Sequence, residues 1–235
     1  MRRLVPVITA SMLCAGVVGC GSDEQAPAPQ TPDRPMITSF APAPILDRAL
    51  PGLLLTPEQI DAAMGAEGMT VTGTASELPD DSATMEPAEC LALDGAAQAN
   101  VYADSGFTTM RRVTLNNGDN FTHYADQNVV LFPDAEQARA FFDASVQQWP
   151  QCHAYSHVQS GTQWDVGAIS NRDGMLSVVN TQREAREGGW ACGRALTARI
   201  NVIVDVNTCS ANPDGTAVAI ADQIATRVEH PSSRR

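Results

Sequence analysis

The chain has 235 residues, 43% of them hydrophobic and 18% charged. That is enough for one domain with extra segments or two small ones, and it is not the composition of a collagen, a coiled coil or a wholly disordered chain. All fifteen positive charges are arginine, because the sequence contains no lysine, which excludes a Walker A lysine, a Ser-x-x-Lys nucleophile and Schiff-base chemistry. The formal charge of −12 argues against a nucleic-acid partner, which requires a basic face.

Arg2 and Arg3 form a short basic start, followed by a mostly apolar run from Leu4 to Val18. That run is too short for an ordinary membrane-spanning helix and suits a signal peptide over residues 1–19. Its end, Val17-Val18-Gly19-Cys20, resembles the bacterial lipobox. The resemblance implies cleavage before Cys20 and acylation of that residue with chains such as palmitate, and two or three acyl chains anchor a protein stably. Removing residues 1–19 leaves 13 arginines against 27 acids, a charge of −14, so the body is repelled from an anionic bilayer. Residues 20–50 are expected to be a tether: seven prolines lie between Gly21 and Pro51 among Ala, Gln and Asp, the composition of a disordered or polyproline-II spacer. The apolar stretch from Ile45 to Leu55 is the part able to pack on the body.

The body is expected over 51–229, with a polar tail at 230–235. Thr56 as N-cap, Pro57 at the first helical position and Gln59 as the returning capping-box side chain begin a helix that Gly65 ends. Asp134 is placed to cap a second helix, in which Ala138, Phe141, Phe142, Val146 and Trp149 recur at helical spacing before Pro150. A third runs from about Pro213 to Glu229 with Ala217, Ile220, Ala221, Ile224 and Val228 on one face. Strands are predicted over 107–115, 121–132, 163–169, 176–181 and 195–206, which are rich in Val, Thr, Ile and aromatic residues. Asn116-Asn117-Gly118-Asp119 and Arg172-Asp173-Gly174 carry tight-turn chemistry, so pairing should be antiparallel. The fold class is therefore α+β, a mostly antiparallel sheet packed with about three helices.

Cys90, Cys152, Cys192 and Cys209 are an even number in an exported chain and read as two disulfides, with three connectivities open. His153 and His157 beside Cys152 make a poor zinc pattern, and no metal or cofactor is expected. No Gly-x-Ser-x-Gly, His-Glu-x-x-His or phosphate loop is present, and the acids are too dispersed to single out a glycosidase pair. Asp80-Asp81 reads as a solvated turn, His123 as a sheet residue, and His153 and His157 as surface groups able to titrate near neutrality. A ligand cleft in such a body is lined by aromatic side chains with a few fixed polar groups. The candidates are Tyr124, Trp164, Trp190, Arg194 and Asn201. For Trp149 and Trp190 the competing role is packing against a disulfide. For Arg194 it is pairing with Asp205.

Two stretches carry a family resemblance. Phe141-Phe142 through Trp149-Pro150-Gln151-Cys152 is one. The other is Trp190-Ala191-Cys192-Gly193-Arg194-Ala195-Leu196, followed by Asn201 to Val206 and Cys209. Together with the flanking helices, about residues 51–229 resemble the PknH-like extracellular domain of mycobacteria and their relatives. The resemblance implies the sensor module of a transmembrane Ser/Thr kinase, found also in stand-alone lipoproteins. It further implies a mixed body with a groove, and the pairs Cys90–Cys152 and Cys192–Cys209. The sequence carries neither a kinase domain nor a true transmembrane helix, so signalling by its own phosphorylation is not expected. The expectation is a non-catalytic, lipid-anchored module on the extracytoplasmic side of the cell membrane that binds an envelope ligand. The alternatives are an interaction protein docking on another envelope protein, such as a membrane sensor kinase, and, with less support, an envelope hydrolase.

Overall fold

The last two strands set the architecture. β9 (Ala191–Arg199) and β10 (Val202–Ser210) pair antiparallel and are buried along almost their whole length. On β10, Val202, Val204 and Val206 belong to one apolar cluster and Ile203 and Cys209 to another. A strand that alternates between two buried faces must lie inside a three-layer body. In the computed structural model, which describes residues 42–230, helices cover both faces of one antiparallel sheet.

The remaining elements are α1 (Pro57–Met64), β1 (Thr70–Ala75), β2 (Met85–Glu86), α2 (Leu91–Asp94), α3 (Ala99–Tyr102), β3 (Thr109–Asn116), β4 (Tyr124–Leu131), α4 (Ala135–Gln148), β5 (Ala154–His157), β6 (Gln163–Val166), β7 (Ser170–Arg172), β8 (Met175–Gln182) and α5 (Thr216–Glu229). The strand order is β1-β3-β4-β10-β9-β8-β6-β5-β2, with β7 paired to β8 off that path. On one face, α1, α5 and the 3-10 turn at Asp47–Leu53 pack Leu50, Leu53, Ile60, Ile220, Ile224 and Val228 on Leu115, Val129 and Val204. On the other, α2, α3 and α4 bring Leu93, Tyr102, Phe142 and Trp149 against Met110, Val130, Leu196 and Ile203.

The three longer helices form where predicted, α1 and α4 from their caps and α5 from its apolar face. The Thr56 N–H donates to Gln59 Oε1 at 2.9 Å, and Gly65 ends α1 at φ 61°. Asp134 accepts from the Gln137 N–H at 2.9 Å to start α4. α2 and α3 are single turns without a periodic signal, and β1, β2, β5 and β7 add to the predicted strands. The span expected as one strand over 195–206 is corrected: it holds parts of two, folded back at Ile200-Asn201 so that Arg199 faces Val202. Ile200 makes that turn at φ 53°, a backbone conformation a β-branched residue rarely adopts and no turn signal announces.

The ordered body starts before residue 51. Ile45 and Leu50 are buried, and the Ile45 N–H and C=O are both bonded by the Asn201 carboxamide, at 2.7 and 3.1 Å. The packed end of the tether is therefore Ile45–Leu55. The expected signal peptide over residues 1–19, the expected acylation of Cys20, the expected tether up to Ala41 and the expected tail from Pro231 lie outside the described residues.

Both expected disulfides are formed. Cys90–Cys152 ties the turn before α2 to the 3-10 turn that follows α4, and Cys192–Cys209 joins facing residues of β9 and β10. Their sequence separations are 62 and 17 residues, so loop-closure entropy predicts ~4 and ~3 kcal/mol of stabilisation. Urea unfolding of C90A/C152A and C192A/C209A should therefore show the larger loss in the first variant; equal or reversed losses would contradict the entropic account.

Candidate functional site

On the α2–α4 face, the central strands carry a row of polar side chains. Arg194 on β9 and Asp205 on β10 have side chains 1% and 3% exposed, with Arg194 Nη1 2.8 Å from Asp205 Oδ1. That contact is an ion pair without hydrogen-bond alignment, and the same Nη1 donates to the Val206 carbonyl at 2.7 Å. Arg194 Nη2 donates to the Ala92 carbonyl at 2.9 Å, and its guanidinium lies 5.5 Å from the Trp149 ring centre. Asp205 Oδ2 accepts from the Ala97 N–H at 2.9 Å and the Tyr102 hydroxyl at 3.0 Å. Asn180 donates to the Leu93 carbonyl at 2.7 Å and Asn207 to the Asp94 carbonyl at 2.8 Å. Burial, and then the Asp205 charge, hold the Tyr102 phenol well above its ordinary pKa. The row thus fastens residues 92–97 to the sheet.

Three of the cleft candidates, Arg194, Asn201 and Trp164, are buried rather than open to a cleft. Arg194 takes its competing role, with Asp205. Asn201, 2% exposed, spends its amide on Ile45 and on the Phe132 carbonyl at 2.9 Å. Trp164, 4% exposed, lies nearly parallel to Tyr155, and its indole N–H has no acceptor among the described residues. Trp149 is fully buried in core packing, as anticipated. Asp80 caps its own turn through the Ser82 N–H, while Asp81 accepts from the Gln98 amide at 2.7 Å.

The other two candidates lie at one end of the sheet, each beside Phe121. The loop from β3 to β4 is closed by Asn117, whose Oδ1 accepts from the N–H groups of Thr122 and His123. The loop from β8 to β9 passes through Glu184, Gly188 and Gly189 at positive φ. Between the two loops lies an open pocket of about 390 Å³ lined by Asp119, Asn120, Phe121, Gln182, Arg186 and Trp190. The Phe121 ring is 6.0 Å from Trp190 and 6.3 Å from Tyr124. Arg186 stacks 4.5 Å above Trp190 and donates to the Phe121 carbonyl at 3.2 Å, bridging the loops. Trp190 is half-buried and its carbonyl accepts from the Gln182 N–H at 3.0 Å. Tyr124 adjoins Phe121 and is not among the lining residues; burial, with the neighbouring Asp126 charge, raises its phenol pKa. Sequence reasoning missed Phe121, Arg186 and the amides. They sit in loops, where no periodicity marks them, although the Asn-Asn-Gly-Asp turn and the Gly188-Gly189 pair locate both loops.

The geometry invites two further comparisons of chemistry. Arg183, next to the pocket loop, is paired with Asp165, whereas Arg186 has no carboxylate within ion-pair distance among the described residues. Thr162 Oγ1, His157 and Asp94 form a hydroxyl–imidazole–carboxylate succession at 3.3 and 2.8 Å. Its hydroxyl is also bonded to Ser160 across the β5–β6 turn, and the Thr162 carbonyl accepts from the His157 N–H. That is turn closure, with the imidazole holding the end of α2 through Asp94.

The model of the PknH-like extracellular domain matches residues 46–227. The chain belongs to that family. It is 30% identical over 192 residues to the serine/threonine-protein kinase PknH of Mycobacterium tuberculosis H37Rv and to that of Mycobacterium bovis, in each case over 80% of this chain. It spans about a third of the length of those kinases, 30% and 32% respectively. The crystal structure of the extracellular domain of Mycobacterium tuberculosis PknH superposes with a TM-score of 0.75 at 30% identity, over 80% of this chain and 98% of that one. The α+β fold is thus the family's. Among the described residues, no helix is long and apolar enough to cross a membrane.

The Asp94–His157 contact yields a pH prediction. The hydrogen bond to Asp94 raises the His157 pKa above 6.5, against partial burial. A folded pKa above the unfolded value gives stability that is complete below about pH 6.5 and is lost as pH rises through the folded pKa. The stability difference between the unmodified chain and His157→Gln should therefore shrink between pH 6 and pH 8, read by denaturant midpoints. A difference that stays constant or grows would remove the ion pair from the account.

Proposed function

We propose that this chain is a lipid-anchored, extracytoplasmic, sensor-like binding module that holds a cell-envelope ligand between the 117–123 and 183–190 loops without transforming it. The observation that carries the reading is a division of labour. The buried charged residues Arg194 and Asp205 are consumed by internal bonds, while Arg186, Trp190 and Phe121 face an open pocket. Ligand sites are concave, mostly apolar surfaces with a few fixed polar groups, and this pocket fits that description. Kinship with a domain that is the extracellular part of a kinase supports a receiving role rather than a catalytic one. The basic start, apolar run and Cys20 support acyl anchoring, and a charge of −14 on the processed chain favours a body standing away from the bilayer.

The second reading, docking on another envelope protein such as a membrane sensor kinase, draws support from β1. It is an outer strand of the sheet, uncharged from Thr70 to Ala75, with Val71 49% exposed, and such an edge offers backbone groups to an added strand.

Native mass spectrometry of the chain purified from its own envelope, before and after organic extraction, separates the two. The pocket reading predicts a defined mass released from the unmodified chain and strongly reduced in Trp190→Ala. A bare protein mass before extraction would overturn it in favour of docking.

A further inference from the structure

The pocket's lining specifies more than the presence of a ligand. Asn120 and Gln182 each bring an amide that both donates and accepts, Asp119 brings an acceptor, and Arg186 brings a planar fork of donors. Phe121 and Trp190 add aromatic surface beside them. An alkyl chain would strand these polar groups without partners, at a cost for each. A ring rimmed with hydroxyls engages the amides and the carboxylate at once, while its C–H edges lie on the aromatic rings. A volume of about 390 Å³ is at the small end of ligand pockets, which suits a mono- or disaccharide.

Arg186 adds a charge requirement. Among the described residues it donates to the Phe121 carbonyl and stacks on Trp190, which leaves most of its five N–H groups unspent. No carboxylate neutralises it within ion-pair distance there, although the chain has an excess of acids. A guanidinium already oriented by stacking binds a carboxylate or phosphate through paired N–H bonds. From these residues, and resting on the pocket reading above, we infer that the ligand is a short saccharide carrying one anionic group, with the anion on Arg186 and the hydroxylated ring between Asn120, Gln182 and the two aromatic residues.

The test is isothermal titration of the full, detergent-solubilised chain with glucose, glucuronate, glucose 6-phosphate and inorganic phosphate. Vesicles of phosphatidylinositol present a hydroxylated ring with a phosphate at a bilayer and serve as a further probe. The inference predicts that glucuronate or glucose 6-phosphate binds at least about tenfold more tightly than glucose and than phosphate alone, the effect of one charge-assisted contact. Arg186→Gln, in an exposed loop, should cancel the advantage over glucose. Trp190→Ala should abolish binding of the sugars, and Trp190→Tyr should retain part of it. Binding of the soluble anionic sugar supports a free glycan; binding of the vesicles alone, still dependent on Arg186, supports the same chemistry in a lipid headgroup. Equal affinity for glucose and its anionic forms, equal affinity for bare phosphate, or indifference to Arg186→Gln would overturn the inference. If no probe binds while native mass spectrometry releases a defined non-saccharide mass, the saccharide is wrong and the pocket reading stands. If no probe binds and no mass is released, both fail.

Discussion

The buried pair of Arg194 and Asp205 is the constraint on which this body depends. Charges taken out of water are expensive unless they are paired and their remaining hydrogen-bonding groups are satisfied, and deleting one partner of such a pair typically costs about 3–5 kcal/mol. Here each member has a second task. Arg194 binds the Ala92 and Val206 carbonyls, and Asp205 binds the Ala97 amide and the Tyr102 hydroxyl. The segment they hold, from α2 to α3, consists of two single helical turns that cannot satisfy their own ends. Its buried backbone groups need partners, and Asn180 and Asn207 supply two more. An apolar core at these positions would bury as much surface but would leave residues 92–97 without a fixed place on the sheet.

That arrangement bears on the proposed binding site. The charged residues in the centre of the sheet are committed to internal bonds, and the open pocket lies at the end of the strands, where loops hang on a rigid frame. The Cys192–Cys209 bridge clamps the start of β9 to the end of β10, two residues from Trp190. The Gln182 N–H holds the Trp190 carbonyl across the β8–β9 opening. Trp190 is thereby a fixed wall, while Arg186 is carried by a loop that two glycines at φ 90° and 88° allow to fold back over it.

Much of the fold was legible because caps, periodicity and turn residues agree. Asp134 and Pro150 bound α4, and Asp173-Gly174 turns β7 into β8 with both residues at positive φ. The hairpin at Ile200-Asn201 was hidden by a β-branched residue in a left-handed turn. α2 and α3 were hidden because tertiary bonds, not propensity, make them. The site was half legible. Of the five cleft candidates Trp190 lines the pocket and Tyr124 adjoins Phe121, whereas Arg194, Trp164 and Asn201 are residue types equally suited to a binding cleft and differ only in being buried. Alternation along a strand reports two faces, and it does not say whether the second one meets water.

Hydrogen exchange of the unmodified chain and Asp205→Asn, read residue by residue, tests this division most directly. Loss of the carboxylate that accepts from Ala97 and Tyr102 should raise exchange across residues 92–102 and leave the 117–123 and 183–190 loops unchanged. Unchanged exchange over 92–102, or equal loosening of the pocket loops, would contradict the claim that the buried pair serves the framework and the loops serve binding.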